Sequence, residues 1–249
     1  MAEEQHKERV REMAARFAAD HPKMQPDEWA AAIGARVHYG NLGDKDGMYD
    51  PQRNLILLPD SGNPKRRRFT AAHEVVHSLI LGDGDLLSDL HDAYEGEELE
   101  VAIEVLCNTG AAAILIPPPD LEYTIGRYGG GAAVIPRLCT QFDVSPQTAC
   151  IALAGALLTK SIVVMLKARG RGAGKHLVVD FSTRAPSMRY SMAEGTRIPD
   201  TSPATLAWQT GLQIEQDDFI PFRTGRRMPA VVDAHPEGAT VYAVFTSKV

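Results

Sequence analysis

Nineteen residues between Asn63-Pro64 and Gly82 constrain this chain more than any other segment. Asn63 is a good N-cap, Pro64 suits the first helical position, and Gly82 and Gly84 offer a stop. Phe69, Ala72, Val76, Leu79 and Ile80 recur at the helical period and form one apolar side. The segment therefore predicts an amphipathic helix packed into a core. Inside it stands His73-Glu74-Val75-Val76-His77. Each helical residue turns about 100°, so His73 and His77 lie one turn apart on one face. Two imidazoles so placed can meet a single cation, while Glu74, about 80° to the side, can reach a water on that cation without occupying it. The bland alternative is a helix with two surface histidines.

Such a cation needs a third protein ligand, with a place left for water. Asp83, ten residues after His73, is one candidate, but Ile80 stands where a turn-forming Gly would be wanted and Gly82 comes too late. His91 is another, in an Asp-rich stretch from Asp83 to Asp92 that reads as loop. Glu104 is the best placed. The run from Glu95 to Ile116 reads as a second helix, stopped by Pro117-Pro118-Pro119, and Glu104, Cys107, Asn108, Ala111 and Leu115 share one of its faces. A Glu from a following helix that completes a two-histidine site is a known zinc-peptidase arrangement. Against it stands the reading of Glu104 as one more solvated acid beside Glu97, Glu98 and Glu100.

The residues around this motif carry a resemblance. Leu81-Gly82-Asp83-Gly84-Asp85-Leu86-Leu87-Ser88-Asp89-Leu90-His91-Asp92 follows it, then Tyr94-Glu95-Gly96 and Ile103-Glu104-Val105-Leu106-Cys107-Asn108, with Pro221-Phe222-Arg223-Thr224-Gly225-Arg226-Arg227-Met228 near the C-terminus. Together they closely resemble the ImmA/IrrE metallopeptidase family, in particular its Deinococcus radiation-response members. The resemblance implies an α+β chain with a zincin-like metallopeptidase domain, a small helix-turn-helix-like domain and a GAF-like domain. It implies metal ligands His73, His77 and Glu104, with Glu74 catalytic. It also implies a substrate: a helix-turn-helix repressor of DNA-damage genes, DdrO-like, inactivated by cleavage. Zn2+ is the expected cofactor, since two imidazoles and a carboxylate suit it best; Mn2+ or iron is the alternative.

The remaining sequence sets bounds. With 249 residues, 44% hydrophobic, the chain can hold two or three small domains. A net charge of −6 gives no broad attraction to nucleic acid. Cys107, Cys139 and Cys150 are scattered and odd in number, as expected of reduced thiols in a cytoplasmic protein. Cys107 reads as a small core residue, with a soft-ligand or redox role as the alternative. Gln5 to Ala19 is charged and amphipathic rather than a signal peptide, and no apolar run is long enough to span a bilayer.

Three domains are expected: 1–124, 125–160 and 161–249. The first opens with the N-terminal helix and another near Asp27–Ile33. Short strands follow at Arg36–Tyr39, Gly47–Asp50 and Asn54–Leu58. Asn54–Leu58 is the candidate edge strand for an extended substrate, or else an ordinary buried strand. Lys65-Arg66-Arg67-Arg68 reads as a solvated helix face, or as contact for an acidic partner. In the second, Pro136–Phe142, Asp143-Val144 and Ser145–Leu158 outline helix, tight turn and helix. The second of these helices carries no Arg or Lys from Pro146 to Ala154, which favours packing or substrate docking over direct DNA binding. The third has strand-like runs at Ser161–Lys167, His176–Phe181 and Val241–Thr246, with a helix at Pro203–Thr210. Tyr94, Tyr123, Tyr128 and Arg127 are candidate stabilisers of an oxyanion.

Overall fold

The structure is a computed structural model that describes residues 2–22, 25–43 and 45–249. The chain forms two compact units, Met1–Pro118 and Pro119–Val249.

The first unit is built on helices α1 (Ala2–Asp20), α2 (Pro26–Ala32), α3 (Pro64–Gly82), α4 (Gly84–Ala93) and α5 (Glu97–Leu115), with strands β1 (Arg36–Gly40), β2 (Met48–Asp50) and β3 (Leu55–Pro59). Helix α3 starts as its sequence dictates: the Asn63 side chain accepts from the Lys65 amide at 2.9 Å, and Pro64 follows. Its buried stripe includes Ala72, Val75, Val76 and Ile80. Helix α5 carries an acidic first turn, then buries Leu106, Cys107 and every residue from Gly110 to Leu115. Each fully buried Leu or Ile of this kind contributes about 1.5–3 kcal/mol. Helix α5 packs against α1 and α3. It comes so close at Gly110 that a Cβ there would stand 2.8 Å from both methyls of Val76 and 3.0 Å from Val10 Cγ1.

Two expectations are corrected in this unit. The stretch Asp83–Asp92 is not loop: α4 occupies it. Asp83 caps this helix by accepting from the Leu86 amide at 3.1 Å, and Leu86 and Leu90, one turn apart, are buried. The acids that read as loop form its cap and its solvent side. The strand Asn54–Leu58 is not an edge either. Strand order is β1-β3-β2, with β3 paired parallel to β1 and antiparallel to β2, so β2 and β1 are the outer strands. Ile56 and Leu58 are wholly buried, as a central strand demands. The basic run at the start of α3 is partly engaged, its Arg66 remaining exposed. Arg66 pairs with Asp46 at 2.6 Å, Arg67 donates to the carbonyls of Pro59 and Asp60, and Arg68 lies over the Trp29 ring.

The second unit has helices α6 (Pro118–Tyr128), α7 (Val134–Gln141), α8 (Pro146–Ala156) and α9 (Pro203–Thr210). Strands β4 (Ser161–Arg169), β5 (His176–Arg184), β6 (Ile214–Pro221), β7 (Arg227–Glu237) and β8 (Thr240–Ser247) make one antiparallel sheet, ordered β5-β4-β8-β7-β6. Side chains alternate across it. Ile162, Val164 and Leu166 join Val232, Ala234, Ala243, Phe245 and the α9 residues Ala204 and Ala207 in one core. Helix α8 packs on β4 and β5. Ser145 caps α8 by accepting from the Thr148 amide, and the turn before it places Asp143 at φ 51°. The segment 125–160 thus shares a compact unit with the sheet. Asp233 on β7 is buried, accepting from the Ala132 amide at 2.7 Å and from Gln213 Nε2 at 2.8 Å. A Cβ at Gly131 would overlap its carboxylate, so only glycine fits beside this join. No single helix among the described residues is long and apolar enough to cross a membrane.

Candidate metal centre

Helices α3 and α5 bring His73, His77 and Glu104 to one point. His73 Nε2 lies 3.3 Å from Glu104 Oε2, and His77 Nε2 lies 3.4 Å from Glu104 Oε1. The two imidazole centroids are 4.9 Å apart. The other ring nitrogen of His73, Nδ1, donates to Asn108 Oδ1 at 3.1 Å, and this contact turns Nε2 toward Glu104. Asn108 sits one turn beyond Glu104 on α5, so both ends of the His73 ring are addressed by the same helix face.

The electrostatics follow from this packing. Burial works against charge on His73, but the hydrogen bond and charge of Glu104, the charge of Glu74 and the Asn108 bond outweigh it, and its pKa is raised. Hydrogen bonds from His73 and His77 hold the Glu104 carboxyl well below the usual range. Glu74 is 7% exposed, and burial pushes its pKa up. A base with an elevated pKa is a stronger proton acceptor near neutrality.

Cys107 Sγ, together with one ligand atom from each histidine, forms a cluster within 4.8 Å. Burial drives its thiol pKa strongly upward, so it presents a neutral S–H rather than a thiolate. The carboxylate of Glu104 is the better third donor on chemistry. Asp83 is engaged elsewhere, in a two-point ion pair with Arg9 at 2.5 and 3.1 Å, and His91 is an exposed residue in the last turn of α4. Among the candidate oxyanion stabilisers, Tyr94 packs edge-on against His6, 6.1 Å between centroids. Tyr123, Arg127 and Tyr128 belong to the second unit, where Arg127 donates to the Tyr123 hydroxyl at 3.2 Å and lies over the Tyr128 ring.

A family model described as Peptidase_M78, the IrrE N-terminal-like domain, matches residues 30–154. The chain is 42% identical over 246 residues to a radiation response metalloprotease IrrE of Deinococcus deserti, covering 96% of this chain and 88% of that one. It is 37% identical over 253 residues to a protein of the same name from Deinococcus radiodurans, covering 96% and 77%. This chain belongs to the Peptidase_M78 family. A solved Mycobacterium tuberculosis transcriptional regulator shares the fold, with a TM-score of 0.64 at 17% identity over 99% of this chain and 82% of that one.

A Peptidase_M78 chain implies a metal, and the donor set fits one. Two ligand atoms on a tetrahedral zinc, with bonds of about 2.0–2.1 Å, stand about 3.3 Å apart. The separations between Glu104 and the two histidines are 3.3 and 3.4 Å. Asn108 is a site residue that spacing alone did not single out; its signal is a polar side chain one turn past Glu104 on a face turning apolar. Replacing Asn108 with Ala is expected to weaken zinc binding about 10–100-fold while leaving the fold intact, because His73 loses the partner that fixes its tautomer and ring plane. Competition with a chromogenic chelator measures this, and unchanged affinity would remove Asn108 from the site. Gly47 also borders Glu74: a Cβ there would stand 3.1 Å from Glu74 Oε1. No local pattern predicts that, since this segment is brought there through the pairing of β2 with β3.

Proposed function

We propose that this Peptidase_M78 chain is a metal-dependent endopeptidase of the radiation response that cleaves and inactivates a helix-turn-helix repressor of the DdrO type. The single observation that carries the chemistry is the convergence of His73 and His77 on the two oxygens of Glu104, with buried Glu74 alongside. The physiological part rests on similarity to two proteins named radiation response metalloprotease over most of their length. The repressor substrate rests on the family resemblance, and a cytoplasmic setting on three scattered cysteines that form no disulfide with one another.

In this reading His73, His77 and Glu104 hold a divalent ion, Zn2+ before Mn2+. When bound, such an ion polarises a carbonyl and lowers the pKa of a water. Glu74 accepts a proton from the attacking water, whose oxygen adds to the scissile carbonyl carbon. It then delivers that proton to the departing amine nitrogen as the C–N bond breaks. Water is consumed, and the products are one carboxylate and one amine.

The second unit is read as a helix-turn-helix-like segment joined to a GAF-like sheet that senses or docks. A rival reading makes α7 and α8 a DNA-binding element without proteolysis. Burial favours the first. Of the α8 residues from Pro146 to Ala156, Gln147 alone is exposed, and the helix lies against β4 and β5. A groove-reading helix needs a free face with phosphate and base contacts.

The deciding experiment incubates the purified chain, zinc-loaded, with a purified DdrO-type repressor and reads intact masses. Two complementary fragments that disappear with chelator and return with added zinc are expected. An uncut repressor with salt-dependent binding of the chain to operator DNA would favour the rival.

A further inference from the structure

Helix α1 and the first half of α5 line a cleft of about 550 Å3 that the proposed mechanism leaves unused. Its volume is that of a ligand or side-chain site. One side is apolar. Val101 and Val105, one turn apart on α5, stand there with the Tyr94 ring. Val101 is 63% exposed, and it is no lone surface aliphatic, because it borders other apolar groups in a concave place.

The other side is polar. Lys7 is held by Glu3 at 2.6 Å, so that pair adds no net charge. Glu97 and Glu98, in the first turn of α5, line the cleft as well and form no ion pair with the described residues, so the cleft is net negative. His6 completes the wall. It is 9% exposed, its ring stands edge-on to Tyr94, and its Nδ1 has no hydrogen-bond partner. A packed junction between two helices leaves few such groups unmet. Acids in a first turn stabilise a helix wherever they stand. Beside an open apolar ridge and an unmet imidazole, they also make a place for a cation with an apolar neighbour.

The order of these groups along α5 ties the cleft to the metal centre. Val101 precedes Glu104 by three residues and Val105 follows it, turned from it by about 60° and about 100° around the helix. The ridge therefore adjoins the face that carries Glu104. Glu98 and Glu97 lie six and seven residues before Glu104, about 10 Å along the axis. An extended chain at about 3.3 Å per residue covers that span in about three residues. A chain leaving the ion in this direction meets the ridge first and the acids second. A repressor that neutralises DNA phosphates carries Lys and Arg, so its charge is opposite to that of the cleft.

We propose that this cleft is a specificity subsite for the repressor: Val101 and Val105 take an apolar side chain near the scissile bond, and Glu97 and Glu98 take a Lys or Arg about three residues from that bond. This rests on the protease reading above.

The test compares the zinc-loaded parental chain with Val101→Asp and with Glu97→Gln combined with Glu98→Gln, all at full length. With the repressor as substrate, each variant is expected to raise KM about tenfold and to leave kcat within about twofold, with zinc content and thermal midpoint matched. The glutamate effect should fade as ionic strength rises toward about 1 M, and the Val101 effect should persist. A second readout needs no turnover: in a Glu74→Gln background, the Kd for intact repressor should rise by the same factor in both variants. Parental KM and Kd in either variant overturn the proposal. So does a loss confined to kcat, or one that follows zinc content or thermal midpoint. If Val101→Asp does not fold, Val101→Thr decides, because it keeps the branched shape and loses only the apolar surface. A KM raised about threefold upholds the ridge, and a parental KM overturns it. Failure of the underlying reading looks different, because the zinc-loaded parental chain would then leave the repressor uncut.

Discussion

Changing Glu74 to Gln is expected to lower the rate of repressor cleavage by about 10²–10⁴-fold while zinc stays bound at parental stoichiometry. The amide is nearly the same size as the carboxylate, so the buried position on α3 keeps its packing. What disappears is the ability to take a proton. His73 and His77 pair with Glu104 and not with Glu74, so in this reading Glu74 is not counted among the metal ligands. Single-turnover cleavage, with zinc measured on the same samples, separates the two effects. Parental cleavage by Glu74→Gln would remove the general base from the mechanism. Loss of zinc together with cleavage would make Glu74 a structural part of the metal centre instead.

Changing Glu104 to Ala is expected to do the opposite, abolishing metal retention and activity together. The carboxylate bridges both imidazoles, and its removal leaves two neutral nitrogen donors on one helix. The loss should exceed the roughly 10–100-fold assigned to Asn108, because a ligand is removed rather than its support. Dialysis against buffer followed by metal analysis gives the answer. Retained zinc in Glu104→Ala would return Glu104 to the group of solvated acids, and Cys107, whose sulfur lies in the same cluster, would become the next donor to remove.

The helical half of this arrangement was legible in the sequence because its signals are local. Asn63, Pro64 and Gly82 bound α3, and the stripe through Ala72, Val76 and Ile80 is buried as its period requires. The meeting of α3 with α5 was reached through two routes, a shared face on α5 and a family resemblance. Neither contains a distance. The errors lie where local and long-range information conflict. Asp83, Asp85, Asp89 and Asp92 made the α4 segment look like loop, although Leu86 and Leu90 anchor it as a helix. The apolar run Leu55–Leu58 is compatible with an edge or a centre, and only pairing partners separate the two. Strands β6 and β7 gave no signal. Glu215, Asp217 and Asp218 interrupt β6, and Pro229 and Pro236 interrupt β7, which nonetheless sits between β6 and β8. The Asp233 join to Ala132 spans a hundred residues, beyond the reach of any window.

Gly110 has a bearing on catalysis although it holds no ligand. Helices α3 and α5 meet tightly at this hydrogen-only side chain, six residues after Glu104 and against the Val76 methyls that adjoin His77. Any larger residue there acts as a wedge whose thickness is felt at the ion. With the proposed ligands on these two helices, affinity for metal is expected to depend partly on the dry interior, at a place no survey of donor atoms would visit.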